Sequence, residues 1–70
     1  MYKSKLAAMI DQAVQDCITC GSGKETQKMN GETVTIVANW ADNEKDIEIG
    51  LFTGCMLRGC FMERIPQEYR

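Results

Sequence analysis

Asn30-Gly31 does most to limit what this chain can become. The pair stands between two extended-looking runs, KETQKM before it and ETVTIVANW after it. Both residues tolerate positive φ, which the two central positions of a type I′ turn require, so the pair predicts a β-hairpin. The first strand is expected near residues 24–29 and the second near 32–40. On the second, Val34, Ile36, Ala38 and Trp40 share one face, opposite Thr33, Thr35, Val37 and Asn39.

The same alternation recurs after a polar loop, ADNEK. In DIEIGLFT, Ile47, Ile49 and Leu51 alternate with Glu48, Gly50 and Phe52, which predicts a third strand. Upstream the period changes. Leu6, Met9, Ile10, Ala13, Val14, Cys17 and Ile18 recur at three- and four-residue spacing and form the apolar stripe of a helix over residues 4–18. Ser4 is its expected N-cap, and Gly21 supplies the left-handed residue that ends helices. In the tail, GCMLRGCFMERIPQEYR, Gly54 and Gly59 predict a turn over 54–59 and Pro66 closes a short fourth strand, 60–65. The expected fold class is α+β: one N-terminal helix packed on a three- or four-stranded antiparallel meander, forming a single small domain over residues 1–70.

Seventy residues with a net charge of −2 and a pI near 4.9 narrow the function classes. A domain of this size buries only about 60% of the surface its unfolded chain exposes, so a disulfide, a metal or a subunit partner often supplements the core. An acidic chain lacks the clustered basic face that nucleic acid requires. Arg58 and Arg64 beside Phe61 form only a small basic-aromatic patch. No apolar run reaches the roughly 18 residues of a membrane span. The opening MYKSKLAAMIDQ has the basic start of a signal peptide, but its apolar segment stops at Asp11, and no small-residue cleavage site follows. The expected location is cytoplasmic, with reduced cysteines.

CITCGSGK, residues 17–24, is the segment nearest to a chemical motif. A phosphate loop would need glycine at position 18, which is Ile, and Ser or Thr at position 25, which is Glu. A redox Cys-x-x-Cys sits at a helix N-terminus, where the dipole favours thiolate; here the pair closes a helix at its other end. The zinc reading is stronger. Cys-x-x-Cys-Gly has the shape of a zinc knuckle, and Cys55 and Cys60 would complete four thiolates with Cys17 and Cys20. CGSGK also resembles the core of the SEC-C zinc motif, with Cys-x-x-Cys in place of Cys-x-Cys and without the second pair that should follow. The meander opposes a shared ion: it sets Cys20 and Cys55 at opposite ends of the strands, roughly 20 Å apart. The favoured expectation is therefore a helix terminus whose cysteines act as small hydrophobes, with no metal and no cofactor.

No histidine occurs in the chain, so the commonest general base is absent. Glu44, Asp46 and Glu48 gather near one loop, but a working carboxylate pair needs a cleft to shift its pKa. A non-enzymatic role is expected. The apolar surplus carries the functional expectation. One helix covers one sheet face, and the opposite face would hold Val37 and Phe52, with Met56, Leu57, Arg58 and Phe61 close by. These six residues are the candidate partner-binding set. The expected function is a protein-interaction or regulatory module, such as an inhibitor, that binds a partner protein or itself as a homodimer. Its alternative is the zinc-stabilised four-cysteine module.

Overall fold

In the computed structural model, residues 2–66 and Glu68 are described, with side chains from Lys5 onward. One helix, α1 (Tyr2–Cys20), precedes four strands: β1 (Ser22–Met29), β2 (Glu32–Trp40), β3 (Asp46–Thr53) and β4 (Met56–Arg64). They form one antiparallel sheet in the order β1-β2-β3-β4. The α+β meander expected from the sequence is the observed fold, and the sheet has four strands.

Each turn has a local cause. Asn30 and Gly31 have φ of 52° and 81°, the two positive values a type I′ hairpin needs. Gly21 has φ of 96°, and its amide donates to the Cys17 carbonyl at 2.8 Å, closing the helix. Between β2 and β3, the Asn43 side-chain oxygen accepts from the amides of Lys45 (2.8 Å) and Asp46 (3.2 Å). Asp46 in turn accepts from Arg64 Nε on β4 at 2.6 Å.

The sequence expectations fail at two places. The helix begins at Tyr2, so Ser4 lies inside it and is not its N-cap. The tail does not make a six-residue turn. Gly54 alone takes positive φ, 61°, at the first central position of a tight Gly54-Cys55 turn, the geometry of a type II′ hairpin. The fourth strand therefore starts at Met56, and Gly59 lies within it. The register shifts there as well. Gly59 pairs with Leu51 but Leu57 pairs with Phe52, so Arg58 is an extra residue, a β-bulge.

α1 lays its stripe on one sheet face, mainly over β1, then β2, and least over β3. Met9, Ala13, Val14 and Cys17 are buried against Val34, Ile36, Ala38, Ile47 and Ile49, while Leu6, Ile10 and Ile18 pack at the margin. Ile65, just past β4, closes the core at one end. The indole of Trp40 donates to the Cys17 carbonyl at 3.2 Å and ties β2 to the last helical turn. Gly23 lets the helix sit this close. A Cβ there would lie 2.0 Å from the Ala13 carbonyl oxygen.

At the rim of this contact two carboxylates meet. Partial desolvation, with a hydrogen bond to Asp16 and repulsion from its charge, raises the Glu25 pKa above its ordinary value. A raised carboxylate pKa means the folded state holds the proton more tightly than the unfolded one. The contact thus helps folding in acid, and that help disappears as pH rises through the raised pKa. Glu25→Gln is expected to melt higher than the wild type near neutral pH, the gap closing below the ordinary carboxylate range of about pH 4. A constant gap, followed by circular dichroism at both pH values, would remove the Asp16–Glu25 repulsion as its cause.

Candidate interaction surface

The sheet face turned away from α1 is built by strand alternation. Partners across an antiparallel ladder point to the same side, so the register fixes the membership of each face. Lys24, Val37, Gly50 and Cys60 form one outer row, and Thr26, Thr35, Phe52 and Leu57 the next. Asn39, Glu48 and Met62 follow on the other side of the Gly50 row.

Gly50 is the low point. A Cβ there would lie 3.2 Å from Phe52 Cε1 and 3.7 Å from Leu57 Cδ1, so both apolar side chains lean over the space it leaves. The result is a shallow depression of about 210 Å³ lined by Val37, Asn39, Glu48, Gly50, Phe52, Leu57 and Cys60. Leu57 and Met62 beside it are 55% and 56% exposed. The C-terminal residues through Arg64 do not fold back over this face; they extend the sheet as its edge strand.

The six candidate residues divide. Val37, Phe52 and Leu57 come together on the outer face. Met56 pairs with Thr53, which pairs with buried Val34, so it belongs to the helix side at the turn end. Arg58, in the bulge, donates from Nε to Thr53 Oγ1 at 2.7 Å. Phe61 pairs with buried Ile49 and also stands on the helix side, 43% exposed because α1 does not extend over β4. Cys60 and Met62 join the outer patch instead, and neither was among the expected residues. Strict alternation from Leu57 would have put Phe61 outside. The bulge reverses that parity, and nothing short of the β3 pairing reveals it.

The four cysteines occupy four settings. Cys17 is buried between helix and sheet, where desolvation raises its thiol pKa. Its Sγ lies 3.7 Å from the Gly21 carbonyl, the contact of a neutral thiol acting as weak donor. Cys20 is exposed beside the Ser22–Asn39 end of the sheet, while Cys55 lies in the turn at the other end, about 20 Å away by strand rise. Cys60 stands on the outer face. Among the described residues no three His, Cys, Asp or Glu side chains gather where they could hold a metal ion.

The acidic loop residues do not form a cleft: Asp46 pairs with Arg64, Glu48 lines the outer depression and Glu44 is an exposed loop residue. Among the described residues no polar or charged side chain is buried, and no helix is long and apolar enough to cross a membrane. Comparison of the chain with protein-family models, with curated proteins and with solved structures finds no match.

Proposed function

We propose that this chain is a non-catalytic interaction module that binds a partner protein through the outer face of its sheet. The observation that carries this reading is the contiguous apolar patch of Val37, Phe52, Leu57, Cys60 and Met62 on the face α1 leaves open. A patch of this kind, rimmed by Lys24, Thr26, Thr35, Asn39 and Glu48, has the layout of a protein-binding surface: an apolar centre and a polar border. Phe52 is the natural anchor, because aromatic side chains resting in shallow pockets dominate binding energies. Leucine and methionine at the margin are adaptable contacts. The absence of histidine from the chain and of buried charge among the described residues supports a role without catalysis.

Photo-crosslinking in the cell of origin tests the reading. A photoreactive residue in place of Leu57 is expected to capture a discrete second protein, whereas the same residue at Gln15, on the exposed side of α1, captures none. Phe52→Asp should abolish the Leu57 adduct while leaving the far-ultraviolet circular dichroism unchanged. Equal adducts from both positions, or none with another protein from Leu57, would overturn it.

A further inference from the structure

The two edges of the sheet are built differently. The free edge of any sheet offers unpaired amides and carbonyls, which natural proteins guard with charged side chains, proline or a covering element. Register and turn bonds identify which groups are free here. The Ile65 amide donates to the Lys45 carbonyl at 3.2 Å, so Ile65, Glu63, Phe61 and Gly59 turn their backbone groups toward β3. Cys60, Met62 and Arg64 turn theirs outward. The same reasoning from the Met29–Glu32 turn makes Lys24, Thr26 and Lys28 the outward residues of β1. That edge carries two lysines and lies under α1. Among the described residues no element covers β4, and its charges, Arg58, Glu63 and Arg64, flank an uncharged run, Gly59–Met62.

Gly59 adds an independent sign. Its φ is not positive, and a Cβ there would meet nothing within 4 Å. Nothing in the packing of the described residues calls for glycine. A strand glycine of this kind suits the close approach of another backbone.

We propose that β4 pairs antiparallel with β4 of a second copy, about a two-fold axis that passes through Phe61 perpendicular to the sheet. This goes beyond the partner reading, since it uses the strand edge and not the outer face. In that register Cys60 and Met62 of one copy form hydrogen-bonded pairs with Met62 and Cys60 of the other, using the outward backbone groups. Phe61 meets Phe61 of the second copy on the helix side, at the close spacing of a non-hydrogen-bonded pair. Glu63 falls opposite the second copy's Gly59, where no side chain obstructs it, and beside that copy's Arg58, a charge-complementary contact made twice by symmetry. Arg64 falls opposite the second copy's Arg58 in this register, but the two side chains leave by different faces. Arg64 lies on the outer side with Asp46, while Arg58 is held by Thr53 on the helix side. Both helices stay clear, each seated over the strands farthest from the junction. The two outer patches then meet across Cys60 and Met62 as one broad surface.

Sedimentation velocity of the full chain in reducing buffer, across roughly 1 μM to 1 mM, tests this. The wild type is expected to pass from monomer to dimer within that range, since a paired edge strand makes a modest interface. Met62→Pro removes an amide that serves only the free edge and should leave a folded monomer throughout. Glu63→Arg and Arg58→Glu should each weaken the dimer at least about tenfold, and the double variant should recover it. The charge variants leave the outer patch intact, so loss of the dimer and loss of a captured partner are read separately. A wild-type monomer throughout, a dimer indifferent to the charge variants, or a double variant that fails to recover would overturn the proposal.

Discussion

Gly23→Ala is expected to unfold the chain or to lower its melting temperature by more than about 12 °C. The added Cβ would lie 2.0 Å from the Ala13 carbonyl oxygen, 2.9 Å from its carbonyl carbon and 3.1 Å from its Cα. All three are helix backbone, so no side-chain rotation relieves the clash. α1 must lift from β1 by more than an ångström. Lifting opens a gap beneath Met9, Ala13, Val14 and Cys17, which lose close contact with the sheet. Overpacking of this type costs about 3 kcal/mol where the surroundings cannot yield. A chain of this length has only roughly 4–10 kcal/mol of stability in all. One kcal/mol moves the midpoint of so small a domain by about 4–8 °C. Gly59→Ala is the control: a Cβ there meets open space, and the expected change in folding stability is within about 0.5 kcal/mol. Thermal melts of the two variants decide the matter. A Gly23→Ala protein that melts with the wild type would mean the helix does not rest on β1 as described.

The contrast between those glycines shows which parts of the fold are written locally. Asn30-Gly31 encodes its turn in its own backbone preferences, and the alternation in β2 and β3 encodes two faces, so both strands follow from reading along the chain. The helix stripe from Leu6 to Ile18 is equally local. Gly23 is different. Its requirement comes from Ala13, an element away, and nothing beside it announces a close approach. The tail was misleading for a related reason. Glycines at 54 and 59 look alike in sequence, yet one turns the chain with φ of 61° and the other continues a strand.

The candidate surface divides along the same line. Val37 and Phe52 belong to strands whose parity is unambiguous, and their shared face could be read directly. Leu57, Cys60 and Met62 depend on the bulge at Arg58, which exists only because β4 pairs with β3. Without it, Leu57 and Phe61 would share a side. With it, Phe61 is released to the helix side, beyond the reach of α1, while Cys60 and Met62 enlarge the outer patch. A one-residue slip exchanges the two faces of a strand, so the identity of half the surface rests on one pairing detail.

Ile36 and Val37 turn this facing into the second large stability effect. They are neighbours on β2 with side chains on opposite sides of the sheet. Ile36 is fully buried at the centre of the core, between helix and sheet. Truncation to alanine removes its packing and leaves a cavity that the surrounding β-branched residues close poorly, at a cost of about 2–5 kcal/mol. That is a large share of the total, and Ile36→Ala should be extensively unfolded in mild denaturant. Val37 is only partly buried, with no described element packed over it. Val37→Ala forfeits less buried area and creates no closed cavity, so its cost should stay below about 1 kcal/mol. Urea unfolding of both variants at low protein concentration, where no second copy contributes, measures the difference directly. Equal costs would mean that Val37 is covered as fully as Ile36 within the isolated chain. The outer face would then be a second core layer, with nothing left to offer a partner. A wide gap between the two neighbours leaves Val37, Phe52 and Leu57 with more apolar surface than folding alone employs, which is the physical condition for recognition at this face.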